Sequence, residues 1–288
     1  MALHIVTRFA PSPTGLLHLG HAHSALSGFA AARQAGGRFL LRIEDIDTTR
    51  CKPAFEQAIH DDLAWLGLRW EEPVRRQSEH FDDYAEALSR LEAMALIYPC
   101  FCTRKRIQAE IAASPSAPHG PDGPVYPGTC RNLSAGERAE RTAAGDSFAL
   151  RIDMARATDL ALRYGSLAWH DLDRGEVAAT PETFGDVVLA RKETPTSYHL
   201  SVTVDDAIQG VTLVTRGEDL LAATHVHRLL QVLLDLPVPA YRHHRLLTNS
   251  AGRRLAKRDR AATLRDLRAK GATPEDVRAL AGFPALRL

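Results

Sequence analysis

The stretch from Arg8 to His21 (Arg-Phe-Ala-Pro-Ser-Pro-Thr-Gly-Leu-Leu-His-Leu-Gly-His) constrains this chain more tightly than any other. Residues 3–9 lead into it as a strand-like run, which Pro11, Pro13 and Gly15 then break. Residues 20–34 carry Ala and Leu at helical spacing until Gly36-Gly37, and Phe39–Ile43 is a second apolar run. Strand, helix and strand in this order make a βαβ unit, which predicts an α/β fold with a parallel sheet. The loop then lies at the carboxyl end of a strand and at a helix N-terminus, where backbone N–H groups attract phosphate. His18 and His21 stand three apart and share one helical face, and Gly20 lets a ligand approach the backbone closely. The segment is neither a Walker A loop nor a dinucleotide fingerprint.

Residues 53–69 and 79–97 read as two further helices. From residue 98 the character changes: Ser114 to Gly128 is rich in Pro and Gly, and short strand-like pieces such as Phe148–Ile152 follow. This predicts a domain inserted into the first. Thr183–Leu200 and Val211–Arg216 return to strand-like patterns, and 218–234 is a strongly amphipathic helix. The expected organisation is 1–97 and 181–240 as two halves of one catalytic domain, 98–180 as the insertion, and 241–288 as a basic loop with a short helical tail. At 288 residues the chain is long enough for this division.

The net charge of +1 is neutral as to partners, but residues 241–270 hold ten Lys or Arg against two Asp, a block able to neutralise phosphates. No apolar run is long enough to span a membrane, and Met1–Arg8 lack the features of a signal peptide, so a cytosolic (cytoplasmic) protein is expected. Four cysteines in such a compartment are thiols or metal ligands rather than disulfides. Cys100, Cys102 and Cys130 fall close together, while Cys51 stands apart.

The Arg8–His21 string resembles the ATP-binding signature of class I aminoacyl-tRNA synthetases, in the glutamyl/glutaminyl branch. Other segments agree in order. Leu41-Arg42-Ile43-Glu44-Asp45-Ile46-Asp47 resembles the acidic strand end of that family. Ser197–Leu200, Val204–Asp206, Gln209–Thr212 and Val214–Leu220 resemble the second half of its catalytic domain. Arg254-Leu255-Ala256-Lys257-Arg258 is a divergent copy of the second ATP signature, with Arg for the first Lys and Ala256 for the usual Ser. The resemblance implies a Rossmann-like parallel sheet with an inserted zinc-containing domain of acceptor type and a short helical C-terminal segment. It implies ATP contacts at Thr14, His18, Gly20, His21 and Lys257, with His18, His21 and Lys257 as the catalytic set. For L-glutamate it implies Arg8, Phe9, Ala10, Pro11, Ser12, Glu44, Tyr198 and Arg216, Glu44 taking the α-amino group and the arginines the carboxylates. Cys100, Cys102, Tyr126 and Cys130 resemble the branch's structural zinc site, with His119 as the alternative fourth ligand. Magnesium is implied with ATP.

The expected chemistry is attack of glutamate's α-carboxylate on the α-phosphorus of ATP, then transfer of the glutamyl group to tRNA. The nucleophile belongs to the substrate, so catalysis is positioning and charge stabilisation. About 30 residues follow Lys257, too few for an anticodon-reading domain. The chain resembles the shortened branch of that family, the glutamyl-Q tRNA(Asp) synthetases, and this implies activation of glutamate without tRNA and its attachment to the queuosine base at the wobble position of tRNA(Asp). Two alternatives stay open: a truncated glutamyl-tRNA synthetase charging a 3′ end, and a non-catalytic tRNA-binding paralogue. No obligate protein partner and no membrane are expected.

Overall fold

A computed structural model describes residues 4–112, 119–121, 123–247 and 262–286. The chain opens as β1 (Val6–Phe9), α1 (Leu19–Gln34), β2 (Arg38–Ile43), α2 (Pro53–Trp65), β3 (Glu71–Arg76) and α3 (Phe81–Ala93). The middle runs β4 (Ile97–Cys100), α4 (Arg104–Ala112), β5 (His119–Gly120), β6 (Gly123–Pro124), α5 (Ala135–Ala143), β7 (Ala149–Ile152), α6 (Met154–Tyr164), β8 (Ala168–Asp171), β9 (Gly175–Ala178) and β10 (Val188–Arg191). It closes as α7 (Tyr198–Ile208), β11 (Leu213–Gly217), α8 (Ala223–Leu233), β12 (Ala240–His244), α9 (Leu264–Ala269) and α10 (Pro274–Leu280).

The expected parallel sheet is present, in two halves. β1, β2 and β3 pair in parallel, as do β11, β12 and β8, with β9 antiparallel at the edge. The halves meet where Thr212 N–H donates to the Val6 carbonyl (3.0 Å) and Val6 N–H donates to Thr212 Oγ1 (2.9 Å). The chain adds β2 and β3 on one side of β1 and returns with β11 on the other. A crevice therefore opens at the carboxyl ends of β1 and β11, where open α/β sheets bind their ligands.

Every residue of β1 and of β11 is buried, as central parallel strands require. α1 covers them because Gly28 lets it come close. A Cβ there would sit 3.0 Å from Thr215 Oγ1 and 3.2 Å from the Phe39 ring. One apolar cluster ties α1 to α2, β2 and the tail helices; a second joins α3, α6, α7 and α8.

The segment 98–180 divides its strands. β4, β7 and β10 form a small antiparallel sheet, whereas β8 and β9 hydrogen-bond into the main sheet beside β12. The charged run Glu71–Arg76, which carries no reading in the sequence, is a strand at the sheet edge. Local readings differ in two places. The strand pattern of Thr183–Leu200 stops at Arg191, because Ser197 caps α7 by accepting from Leu200 N–H (3.4 Å). The helix expected over 218–234 is regular only from Ala223.

Candidate active site

The crevice is a cleft of about 410 Å³. Of the residues singled out in the sequence, Arg8, Phe9, Ala10, Pro11, Ser12, His18, Gly20, His21, Glu44, Tyr198 and Arg216 all line it. Thr14 does not line it; its N–H donates to the Ser12 carbonyl (2.8 Å) within the loop. Lys257 and the whole Arg254–Arg258 signature lie outside the described residues. Leu246 and Leu247, which precede that segment, line the cleft, and Thr263, which follows it, bridges to His18. A second cavity of about 280 Å³ shares Ser12, Glu44 and Tyr198 with the first and reaches β10 at Val188 and Arg191.

The loop between β1 and α1 is fixed by the strand beside it. Glu44 N–H donates to the Pro11 carbonyl (3.0 Å) and Lys52 N–H to the Pro13 carbonyl (3.1 Å). The two histidines build the start of α1: His18 Nδ1 accepts from Gly20 N–H (3.1 Å) and His21 Nδ1 accepts from His18 N–H (3.1 Å). Both Nδ1 atoms being acceptors, the ring proton of each neutral imidazole sits on Nε2. The first turn of α1 carries no acidic residue, so its dipole favours an anion.

A buried ion network lies under the cleft. Arg8 Nε donates to Asp206 Oδ1 (2.9 Å) and its Nη2 to Asp206 Oδ2 (3.4 Å). Arg42, fully buried, donates to Asp206 (2.8 Å), Gln209 (3.0 Å) and Glu44 (3.2 Å). Asp205 accepts from Arg75 (2.7 Å), Gln77 (2.8 Å) and Tyr84 (2.9 Å). Burial opposes ionisation of Asp206, but Arg8 and Arg42 outweigh it and hold the carboxyl below its usual range. Burial pushes Glu44 up, against the pull of Arg42 and Arg8. Of the acidic strand end only Glu44 lines the main cleft: Asp45 caps Ser78 (2.8 Å), and Asp47 holds Thr49 (2.7 Å) and Arg50 (2.5 Å).

Arg216 is placed differently. It is 5% exposed, yet among the described residues no carboxylate pairs with it. Its partners are His243 Nε2 (3.2 Å), the Tyr198 hydroxyl (3.3 Å), His227 Nδ1 (3.3 Å) and Thr224 Oγ1 (2.6 Å). Burial, with Arg216 beside it, pushes His243 down to about 4, although Asp171 pulls it up. His227 is driven well below the usual histidine range by the same causes, burial first. A buried guanidinium surrounded by neutral groups and opening on a cleft is a receptor for an anion.

Three thiols form the other cluster. The sulfurs of Cys100, Cys102 and Cys130 lie within 4.8 Å of one another and can hold a metal ion. The Tyr126 hydroxyl is 3.3 Å from Cys100 Sγ and 3.7 Å from Cys102 Sγ, so its oxygen stands beside the set. The side chain of His119 lies outside the described residues. Cys51 is half-buried, 3.7 Å from Ser12 Oγ.

The family of class I tRNA synthetases (E and Q), catalytic domain, matches residues 4–282. A glutamyl-Q tRNA(Asp) synthetase of Rhodobacter capsulatus is 52% identical over 97% of this chain and 100% of its own length. The chain belongs to this synthetase family. A glutamyl-Q tRNA(Asp) synthetase of Symbiobacterium thermophilum is 45% identical over 94% of this chain and 83% of its own. The glutamate–tRNA ligase of Aquifex aeolicus is 37% identical over 94% of this chain and 55% of its own. Among solved structures, a glutamate tRNA ligase from Elizabethkingia meningosepticum in complex with its amino acid has a TM-score of 0.78 at 27% identity. The match covers 96% of this chain and 60% of that one, so the synthetase spans less than two thirds of that ligase's length. The protein is thus a ligase of the aminoacyl-tRNA synthetase type, and its sheet is the class I catalytic fold. Among the described residues no helix is long and apolar enough to cross a membrane.

Sequence reasoning missed the partners. Arg42 and Asp206 stand in the quoted motifs without a role, His243 reads only as part of the basic block at 241–270, and Asp171, Thr224 and His227 carry no role. An arginine inside an apolar parallel strand is a signal for Arg42. For His243, alternation along β12 was available: Tyr241 and His243 share its buried face.

Proposed function

We propose that the protein activates L-glutamate with ATP, without needing tRNA, and transfers the glutamyl group to the queuosine base at the wobble position of tRNA(Asp). Two observations carry this reading: the relative matched over its full length bears that name, and the cleft holds a buried arginine with which, among the described residues, no carboxylate pairs. An arginine so placed favours glutamate's side-chain carboxylate and disfavours the uncharged amide of glutamine. Glu44 suits the α-amino group, with Arg8, Phe9, Ala10, Pro11, Ser12 and Tyr198 shaping the pocket around it. His18, Gly20 and His21 at the N-terminus of α1 suit the phosphates, and Thr14 belongs to the same loop. Lys257 is assigned to the triphosphate because Arg254–Arg258 resembles the second ATP signature.

In this reading the substrate's α-carboxylate attacks the α-phosphorus, pyrophosphate leaves, and the imidazole N–H donors and Lys257 stabilise charge as it develops. Magnesium is expected to enter with ATP. Zinc is the ion that suits three thiolates and a phenolate from Cys100, Cys102, Cys130 and Tyr126; it would act as a structural cross-link of the Pro/Gly-rich segment. The cytosol is the compartment that ATP, tRNA and free thiols imply.

A second reading, charging of a tRNA 3′ end, has the support of relatives named glutamate–tRNA ligase at 37–42% identity, against 42–52% for those named glutamyl-Q tRNA(Asp) synthetase. Labelled glutamate offered with tRNA(Asp) that contains or lacks queuosine separates the two. Transfer only to the queuosine-containing tRNA is expected. Equal labelling of the queuosine-lacking tRNA, abolished when its 3′ end is blocked by periodate, would overturn the proposal.

A further inference from the structure

Arg216 is held by neutral acceptors, but a full negative charge stands directly behind one of them. Asp171, at the end of β8 and wholly buried, lies 2.7 Å from His243 Nδ1. A carboxylate at that distance fixes the tautomer: Nδ1–H donates to Asp171, and Nε2 is left bare to accept from Arg216 Nε. Thr224 closes the arrangement, accepting from Arg216 Nη2 (2.6 Å) while its hydroxyl lies 3.2 Å from His243 Nε2. On the far side His227 Nδ1 accepts from Arg216 Nη1, and its other ring nitrogen lies 3.2 Å from His199 Nδ1. The guanidinium is thereby gripped at Nε, Nη1 and Nη2. The imidazole of His243 stands between it and Asp171.

We propose that Asp171 and His243 are positioning residues for amino-acid specificity. Together they fix the plane of the Arg216 guanidinium and leave its charge to the ligand's side-chain carboxylate. This rests on the reading that Arg216 meets that carboxylate. The logic is one of distance. A carboxylate in direct contact would pair with Arg216 and remove the attraction that selects glutamate. A neutral acceptor without Asp171 behind it could turn its N–H toward the cation and lose the grip. Three elements far apart in the chain, β8, β11 and β12, meet here only because they are neighbours in the sheet.

The test is glutamate-dependent ATP–pyrophosphate exchange, with tRNA present, on His243→Ala, Asp171→Asn and His243→Gln. Thermal unfolding and the KM for ATP are read on each. For His243→Ala and Asp171→Asn, the KM for glutamate is expected to rise about tenfold or more, as when a hydrogen bond to a charged group is lost. The preference for glutamate over glutamine falls with it, and kcat and the KM for ATP change little. His243→Gln keeps an acceptor toward Arg216 and is expected to recover much of the loss. Should His243→Ala not fold, Asp171→Asn decides alone. An unchanged glutamate KM and glutamine rejection in Asp171→Asn overturns the inference, as does an equal rise in both KM values. Arg216→Gln in the same assay separates the two levels. If it weakens glutamate while Asp171→Asn does not, only the positioning role fails. If Arg216→Gln also leaves glutamate unaffected, the pocket assignment itself fails.

Discussion

Two arginine clusters adjoin one cleft and are built on opposite principles. Around Arg8, Arg42 and Arg75 each guanidinium meets a carboxylate, chiefly those of Asp205, Asp206 and Glu44. Around Arg216 the partners are two imidazoles, a phenol and a hydroxyl. The first cluster pairs every cation as folded and holds β1, β2, β3 and α7 together. In the proposed reading the second is completed by the substrate's carboxylate. A buried charge that is balanced builds the fold, and one that is left unbalanced at a cavity binds a ligand.

The comparison breaks most visibly if the first cluster proves dispensable. Replacing Arg42 by Met leaves Glu44 without its hydrogen-bonded cation and Asp206 with Arg8 alone. It is expected to cost about 3–5 kcal/mol of stability, read as a lower midpoint in urea unfolding. A variant that unfolds like the parent would mean the network is not structural. Arg216→Gln should do the reverse: stability is retained, while kcat/KM for glutamate activation falls about 10²-fold, the scale of a lost charge-assisted pair. Steady-state exchange assays at equal folded concentration measure it.

The thiol cluster is the mirror of Arg216, a set of donors that calls for a cation. Cys130→Ser is expected to remove most of the bound zinc by metal analysis and to speed proteolysis near residues 112–123. Retained zinc would show that the metal is held elsewhere.

Asp62 sharpens the comparison at the smallest scale. It too is buried, and its Oδ2 makes no hydrogen bond among the described residues. Unlike an arginine it can shed its charge: burial pushes its carboxyl up to about 6, with Arg265 and Arg268 pulling the other way. The folded value lies above the unfolded one, so Asp62 contributes stability at low pH and loses it as pH rises through about 6. Asp62→Asn should therefore match the parent in acid and gain about 1 kcal/mol at neutral pH, after allowance for solvent screening. Melting temperature against pH checks it; a gain confined to acid would contradict the sign.

What the sequence discloses follows the same division. The loop from Arg8 to His21 is legible because its prolines, glycines and histidines act locally, within one strand–loop–helix unit. Cys100, Cys102, Tyr126 and Cys130 are legible because a short stretch brings them together. The support of Arg216 is not, since Asp171, Thr224 and His243 come from β8, α8 and β12 and meet only after the sheet has assembled. β3 escapes because Glu-Glu-Pro-Val-Arg-Arg lacks the alternation of a half-buried strand. The start of α7 escapes because Tyr198 and its neighbours look strand-like until the Ser197 cap is recognised.

The most direct measurement is a crystal structure with a non-hydrolysable glutamyl-adenylate analogue. The ligand's side-chain carboxylate is expected at hydrogen-bond distance from Arg216, its amino group at Glu44 and its phosphate at the start of α1 beside His18 and His21. An analogue whose carboxylate lies away from Arg216, with that guanidinium still bound only to His243, Tyr198, His227 and Thr224, would contradict the account.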